Sequence, residues 1–540
     1  MSAVLTLEAV SVSLPKGADR PHAMSEVSLS VAANEILCVV GESGSGKSMT
    51  ANAIMRLLPE GVAIDGGRIL FEGRDLAGVS EAQMRKVRGA GIAMIFQEPM
   101  TALNPLRTIG DQIGEMFSIH TDLGTTEIKA RVRELLEEVR IPDPERSAKA
   151  YPHELSGGQR QRAMIAMALA LDPKVLIADE PTTALDVTTQ AQILALIRDM
   201  QKRKGTAVLF ITHDFGVVAE IATRVAVMSQ GRVVEQGPVA QVLDNPQHAY
   251  TRQLIAAVPP LKAPPARALS DEAIMTIDHV SKTYRTGGFL GRGRRVTHAV
   301  KDVSLVLPKG GTLGIVGESG SGKSTLARCL VRLIDPDSGE IRLNGRNLAS
   351  LTREEMRAET RHIQMVFQDP FASLNPRRKA GELVAQGPIV HGVPRARALA
   401  KAKELFALVG LDPAATERYP HEFSGGQRQR IGLARALALE PAVLVADEPV
   451  SALDVSVQAQ VLKLLAELRQ RLNLSIVFIT HDLRVAAQVC DLVAVMKDGE
   501  VVEAGPIGAV FGAPNHAYTK ALLDSIPGRN FGLRPVLVSV

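Results

Sequence analysis

At 540 residues, 46% of them hydrophobic and 22% charged, the chain is too long for one core and too apolar to stay unfolded, which leaves about two to four globular domains. Lys plus Arg number 62 against 58 Asp plus Glu, and the net charge of +4 gives no electrostatic footprint for nucleic acid. Cys38, Cys329 and Cys490 are scattered and lack any CxxC spacing, so a disulfide framework and a zinc or iron–sulfur centre have no support, and reduced thiols in a cytoplasmic protein are the reading.

Residues 4 to 14 (VLTLEAVSVSL) alternate and read as an edge strand, followed by a Gly- and Pro-containing turn and a second strand ending at Leu37-Cys38-Val39-Val40. The first ten residues show no basic stretch leading into an apolar one, and no run approaches the roughly 18 apolar residues of a membrane helix. Any membrane association must come through a partner.

Gly41-Glu42-Ser43-Gly44-Ser45-Gly46-Lys47-Ser48 then fits GxxxxGK[ST] between a strand and a helix, the context that motif requires. Its glycines let backbone N–H groups converge on phosphates, Lys47 reaches toward the outer phosphates, and the Ser48 hydroxyl is a Mg²⁺ ligand. A chance Gly/Ser loop is the bland alternative, and the return of the motif as Gly317-Glu318-Ser319-Gly320-Ser321-Gly322-Lys323-Ser324 removes it.

A strand at Ile92–Phe96 delivers Gln97, matched by Gln368. At the carboxyl end of a strand parallel to the phosphate-binding one, a glutamine is placed to sense Mg²⁺ and an attacking water. Helical patterns at roughly 107–119 and 125–139 follow, as in an inserted helical subdomain.

The stretch Tyr151–Asp186 (YPHELSGGQRQRAMIAMALALDPKVLIADEPTTALD) returns without a gap as Tyr419–Asp454. Ser156-Gly157-Gly158 and Ser424-Gly425-Gly426 open helical patterns, so free N–H groups and the helix dipole face any phosphate placed there. The apolar run Val175–Ala178 reads as a strand buried on both faces. Two carboxylates at its end, Asp179-Glu180, matched by Asp447-Glu448, cost several kcal/mol unless paired or metal-bound. Asp179 is read as holding Mg²⁺ from its outer coordination sphere and Glu180 as the base that orients water.

An amphipathic helix follows, with Ile193, Leu196, Ile197 and Met200 at core spacing and Val461, Leu464, Leu465 and Leu468 as counterparts. Next, a strand at Val208–Ile211 leads to Thr212-His213-Asp214, mirrored by Thr480-His481-Asp482. Both histidines fall 33 residues past the glutamate (213 − 180 and 481 − 448), and an imidazole at a strand end suits a phosphate that develops charge. Pro259 to Pro265 reads as a stiff, solvated spacer. Gly291-Arg292-Gly293-Arg294-Arg295 reads as a solvated loop. Two whole domains in tandem are expected, at 1–258 and 274–530, with a linker at 259–273 and a tail at 531–540.

These residues resemble ATP-binding-cassette (ABC) ATPases, with each hallmark present twice: GESGSGKS, FQEP and FQDP, LSGGQ and FSGGQ, LIADEP and LVADEP, TALD and SALD, and ITHD in both halves. The surrounding wording looks like the oligopeptide, dipeptide and nickel importer branch, and a fused pair resembles glutathione-type and peptide-type importers. The resemblance implies an α/β fold of two tandem P-loop NTPase domains, each with a mixed sheet core, an antiparallel β subdomain and an inserted helical subdomain. It implies ATP and Mg²⁺ as cofactors and transport-coupled ATP hydrolysis, with Glu180, His213, Glu448 and His481 catalytic. Nucleotide contacts are implied at Gly41, Ser43, Gly44, Gly46, Lys47, Ser48, Met49 and Gln97, and at Gly317, Ser319, Gly320, Gly322, Lys323, Ser324, Thr325 and Gln368. Ser156, Gly157, Gly158, Gln159 and Asp186 join this set with Ser424, Gly425, Gly426, Gln427 and Asp454, and metal contacts fall to Ser48, Gln97, Asp179, Ser324, Gln368 and Asp447.

In the head-to-tail arrangement of that family, Ser156 to Gly158 serve the nucleotide on Lys323, and Ser424 to Gly426 the one on Lys47. Partners implied are two integral-membrane permease subunits and a receptor acting through them, without nucleic acid or a lipid anchor, at the cytoplasmic face of a bacterial inner membrane. The chain departs from the family where an aromatic ring often stacks adenine: Tyr284 is present, but its counterpart is Leu14, which predicts weaker ATP binding at the first site. No cysteine cluster follows either HAYT ending. A soluble tandem ATPase acting on ribosomes is the alternative, although such proteins join their cassettes by a long charged helix rather than a short Pro-rich spacer.

Overall fold

A computed structural model of the chain describes residues 3–183, 185–286, 295–369, 373–451 and 453–529. The tail at 531–540 and the basic run at 291–294 lie outside the described residues. Two compact units form: unit 1 is Met1–Leu185 with Thr189–Val258 and Pro527–Val540, and unit 2 is Asp186–Thr188 with Pro259–Ile526.

The strands of unit 1 are β1 (Ala3–Ser13), β2 (His22–Ala32), β3 (Ile36–Val40), β4 (Ala63–Phe71), β5 (Arg74–Asp75), β6 (Ile92–Ile95), β7 (Val175–Asp179), β8 (Ala207–Ile211), β9 (Arg224–Ser229) and β10 (Arg232–Pro238). One antiparallel sheet runs in the order β2-β1-β4-β5. The other runs β10-β9-β3-β8-β7-β6, parallel from β6 through β9, with β10 antiparallel at its edge.

The parallel strands β3, β6, β7 and β8 are short and buried along their whole length because both faces of the sheet are covered. Alternation along β3 shows how. Leu37 and Val39 enter a core shared with β1, β2 and the helix Lys47–Met55, whereas Ile36, Cys38 and Val40 enter a second core. That second core takes in Ile113 and Phe117 from the helix Ile109–His120, Val132, Leu135 and Leu136 from the helix Thr125–Glu138, and the inner face of the helix Gly157–Leu169. Among the described residues no helix is long and apolar enough to cross a membrane.

Unit 2 repeats the plan with β11 (Ala273–Thr286), β12 (Arg295–Pro308), β13 (Thr312–Val316), β14 (Ser338–Leu343), β15 (Arg346–Asn347), β16 (Ile363–Val366), β17 (Val443–Asp447), β18 (Ser475–Ile479), β19 (Leu492–Lys497) and β20 (Glu500–Pro506). Its sheets run β12-β11-β14-β15 and β16-β17-β18-β13-β19-β20.

Four expectations need correction. β1 is central in its sheet, paired with both β2 and β4, because an alternating pattern reports which face is buried and is silent about the two hydrogen-bonding edges. The expected second strand is two strands, β2 and β3, separated at Asn34, which adopts a left-handed φ of 61°. On the helix Val187–Lys204 it is Leu194, at 2% exposure, that joins the core with Ile193, Ile197 and Met200, while Leu196 is only partly buried; Leu462 and Leu464 differ in the same way in unit 2. The spacer is not solvated throughout. Leu261 and Ala263 pack against the unit 2 core, Gln488 Nε2 donates to Pro260 O (2.7 Å) and Lys262 O (3.0 Å), and Arg267 grips both carboxylate oxygens of Asp491 at 2.6 Å.

Candidate functional site

Five of the six strands in the larger sheet of unit 1 run the same way, so the carboxyl ends of β3, β6, β7 and β8 lie along one edge, where ligands collect in such sheets. The residues just beyond them are Gly41 to Ser48, Gln97, Asp179 with Glu180, and His213.

The loop after β3 closes on itself. Gly46 caps the helix Lys47–Met55 in a left-handed conformation (φ 102°), and a Cβ there would sit 2.9 Å from Ala23 O, so glycine is required by both conformation and space. No side chain caps this helix start. Lys47 Nζ arches back to Gly41 O (2.7 Å) and Glu42 O (2.9 Å), and Lys323 does the same to Gly317 O (2.8 Å) and Glu318 O (2.7 Å). Ser45 Oγ and Ser321 Oγ are buried without a hydrogen-bond partner among the described residues.

Two residue sets converge on the end of β7. Ser48 Oγ donates to Asp179 Oδ1 (3.0 Å), as Ser324 Oγ does to Asp447 Oδ1 (3.2 Å). Gln97 Nε2 donates to Glu180 Oε2 (3.0 Å) and Gln368 Nε2 to Glu448 Oε2 (2.9 Å). His213 Nδ1 faces the same Glu180 oxygen at 3.3 Å, and His481 Nδ1 faces Glu448 Oε2 at 3.2 Å. Both glutamates hold a left-handed φ of 46°, a strained conformation for a side-chain-bearing residue that the surrounding fold must hold in place.

Electrostatics push the neighbouring carboxylates apart. Burial drives the Asp179 carboxyl up to about 6, with the Glu180 charge adding to it and the Ser48 hydrogen bond opposing. Burial also acts on Glu180, but the hydrogen bond and charge of His213, with a bond from Thr183, outweigh it and hold that carboxyl down to about 2. Unit 2 repeats the directions: burial raises Asp447, while the bond and charge of His481 hold Glu448 down against burial. Burial lowers His481, yet its bond to Glu448 leaves it raised overall.

The Ser-Gly-Gly segments stand apart from this bonded set. Ser156 Oγ accepts from Gln159 N (3.3 Å) and Gln159 Oε1 from Ser156 N (2.9 Å), a reciprocal cap repeated at Ser424 and Gln427. The hydroxyl is therefore engaged in its own helix cap, and Ser156 and Gly157 are exposed. The N–H groups of Gly157 and Gly158 lie in the first turn, where a helix has no internal acceptor for them. Within unit 2, Ser319 N donates to Asp186 Oδ2 (3.3 Å), and Thr188 Oγ1 reaches both Asp186 Oδ1 (2.7 Å) and Glu318 Oε1 (2.6 Å). Asp454 is the residue before the helix Val455–Leu472. Tyr284 is half-buried on β11, whereas Leu14, also half-buried, packs into the core beyond β1.

Four further residues, with no role assigned from the sequence, hold the site. Tyr250 Oη accepts from Glu42 N (3.1 Å) and Tyr518 Oη from Glu318 N (3.2 Å), fixing each phosphate loop. The signal was available, since HAYT stands in both halves. Thr183 Oγ1 donates to Glu180 Oε2 (2.9 Å), and the buried Gln161 ties the helix Gly157–Leu169 to Pro181 O (2.6 Å).

The arrangement fits a nucleoside triphosphate with Mg²⁺. An uncapped helix start, a glycine cradle and a buried unpartnered serine hydroxyl suit phosphate oxygens. One hydroxyl, one carboxylate and one glutamine side-chain oxygen are a sparse metal set, as expected where Mg²⁺ shares its shell with phosphates and water.

Comparison with known proteins agrees with this chemistry. The ABC transporter family matches residues 24–183 and 300–451, and the oligopeptide/dipeptide transporter C-terminal region matches 234–280 and 502–537. The chain is 49% identical over 525 residues to the peptidoglycan transport ATP-binding protein YejF of Agrobacterium fabrum, spanning 96% of each. It is 47% identical over 557 residues to the glutathione import ATP-binding protein GsiA of Escherichia coli O157:H7, spanning 97% of this chain and 89% of that one. The protein of that name in Escherichia coli K12 is 46% identical over the same shares.

Proposed function

This chain belongs to the ABC transporter family of ATPases, and from that premise we propose that it is the energy-coupling subunit of an importer for peptides or similar small solutes, of dipeptide, oligopeptide or glutathione-like type. Supporting this are the import-protein relatives and the twofold match to a peptide-transporter C-terminal region. The observation that carries the catalytic reading is the convergence, in both units, of lysine, serine, aspartate, glutamine, glutamate and histidine on one sheet edge.

In this reading the loops Gly41–Ser48 and Gly317–Ser324 cradle ATP phosphates, with Met49 and Thr325 in the helix turns behind them. Ser48, Gln97 and Asp179 would hold Mg²⁺ in unit 1, and Ser324, Gln368 and Asp447 in unit 2. Bound Mg-ATP supplies the scissile phosphoanhydride and neutralises its charge. Glu180 Oε2 accepts the proton of a water oriented by Gln97, and the same carboxylate orients the His213 ring through Nδ1–H, so that an imidazolium there presents its Nε2–H to a phosphate oxygen. Glu448, Gln368 and His481 do likewise. By the arrangement of this family, Ser156, Gly157, Gly158, Gln159 and Asp186 are proposed to serve the nucleotide of Lys323, and Ser424, Gly425, Gly426, Gln427 and Asp454 that of Lys47.

The partners are then two integral-membrane permease subunits and a solute receptor acting through them, and the chain sits peripherally on the cytoplasmic face of a bacterial inner membrane. The relatives are transport proteins, and nothing favours the ribosome-acting alternative. Reconstitution with the permease pair and receptor tests this: a peptide or glutathione should stimulate phosphate release several-fold. A chain that sediments with ribosomes and stays unstimulated by every such solute would overturn it.

A further inference from the structure

The helix Phe215–Ile221 begins two residues after His213, and its start is locked locally. Asp214 Oδ1 accepts from Gly216 N (2.7 Å) and Val217 N (3.4 Å), and Asp214 N donates to Thr212 Oγ1 (3.0 Å). Gly216 has no positive φ to explain it, and a glycine at an ordinary helical position costs about 1 kcal/mol relative to alanine. What explains it is space. A Cβ on Gly216 would lie 2.6 Å from Pro527 O and 3.3 Å from Pro527 C, and 3.0 Å from the capping Asp214 Oδ1, so the Pro527 carbonyl is the tighter of the two constraints.

The approaching segment is shaped for the same contact. Gly528 takes a left-handed φ of 65°, and a Cβ there would meet Gly216 O at 2.9 Å, Gly216 Cα at 3.0 Å and Ala219 Cβ at 3.4 Å. Pro527 and Gly528 are buried, within the part of the chain that belongs to unit 1. Main chain therefore packs on main chain with both side chains absent. Unit 2 handles the matching helix differently. Arg484 stands where Gly216 does, and the helix Leu483–Val489 instead holds Pro260 O and Lys262 O through Gln488. Pro259 and Pro527 are 268 residues apart, the same offset as the two histidines (527 − 259 and 481 − 213). In each unit, then, a segment that follows a repeat's last helix lies against the helix after the histidine.

We propose that Pro527 and Gly528 are positioning residues for the His213 turn: by seating on Gly216 they set the Thr212-His213-Asp214 backbone and hence the alignment of His213 with Glu180. This rests on the catalytic reading of His213 and Glu180 given above. The segment after the second repeat's last helix thereby governs turnover at the first ATP site, and the second uses the spacer between the repeats instead.

The test is a double-mutant cycle in the full chain, Gly216→Ala against Gly528→Val, read by phosphate release and by hydrogen exchange at the amides of 214–219. Each single variant should cut kcat to roughly half or less with the KM for ATP held within about twofold, and should speed exchange at 214–219. The double variant should be no worse than the poorer single one, because both break one contact. Alanine favours the helix, so lost propensity cannot produce the Gly216→Ala defect; because its Cβ also crowds Asp214 Oδ1, the Gly528→Val variant, which leaves that cap untouched, is the one that assigns the defect to the Pro527–Gly528 contact. Multiplying defects, unchanged exchange, or faster exchange with wild-type kcat would each overturn the proposal. If the unsubstituted chain with its membrane partners hydrolyses no ATP, the catalytic reading is what has failed, and the exchange data still decide whether the contact exists.

Discussion

Replacing Glu180 and Glu448 by glutamine should separate scaffold from chemistry. In unit 1 a single oxygen, Oε2, meets Gln97 Nε2 at 3.0 Å, Thr183 Oγ1 at 2.9 Å and His213 Nδ1 at 3.3 Å. A glutamine that puts its amide oxygen in that place keeps all three contacts and loses only their charge assistance, worth about 1 kcal/mol each. That bounds the destabilisation near 3 kcal/mol in each unit, or about 6–12 °C of melting for a domain of this size, and relief from burying a carboxylate works against it, so the fall should stay below that bound. Loss of a positioned base costs about 10²–10⁴-fold in rate, or about 3–5 kcal/mol of barrier. The double variant should therefore bind ATP, stay folded and release phosphate about 10²–10⁴-fold more slowly, and each single variant should lose at least half of the wild-type rate. The assay is phosphate release from the reconstituted transporter at saturating ATP, alongside nucleotide retention and calorimetric melting. Wild-type turnover in both single variants, or a rate loss no larger than the loss of folded protein, would refute the assignment.

The two sites should differ in affinity: with Lys47 and Lys323 replaced in turn, ATP binds more weakly to the site left at Lys47, and equal or tighter binding there removes the role given to Tyr284. Tyr284→Ala should weaken the second site by about 5- to 150-fold, the worth of one base stacked on an aromatic ring, in equilibrium titration with a labelled nucleotide. Gln161→Leu should lower thermal stability by about 1–3 kcal/mol in calorimetry, because the 2.6 Å bond to Pro181 O is lost and a buried carbonyl is left without its donor; unchanged melting would mean that another donor takes its place. Cys38, Cys329 and Cys490 are buried, and burial raises all three thiols, so a thiol reagent should label none in the native chain and three after denaturation.

What could be read from the residues, and what could not, divides along a physical line. Lys47, Ser48, Gln97, Asp179, Glu180 and His213 were legible because each sits beyond a short apolar run, and runs of that kind, buried on both faces, are parallel strands whose carboxyl ends lie together. Position along the chain then implied position in space, and the second copy removed chance. The residues that escaped notice act through contacts with no such periodic signature. Whether β1 has one neighbour or two is decided by main-chain hydrogen bonds, which every residue but proline offers equally. Proline content at 259–265 reports stiffness, yet only Gln488 and the unit 2 core determine what the spacer lies on. Gly216 is the sharpest case. Alone it reads as an ordinary, slightly unfavourable helical glycine, and its cause, a carbonyl 311 residues further on (527 − 216), is visible only once the chain has folded. A motif names the groups that touch a phosphate, but the alignment of those groups depends on packing between distant segments. It is there that two chains with the same motifs can differ in rate.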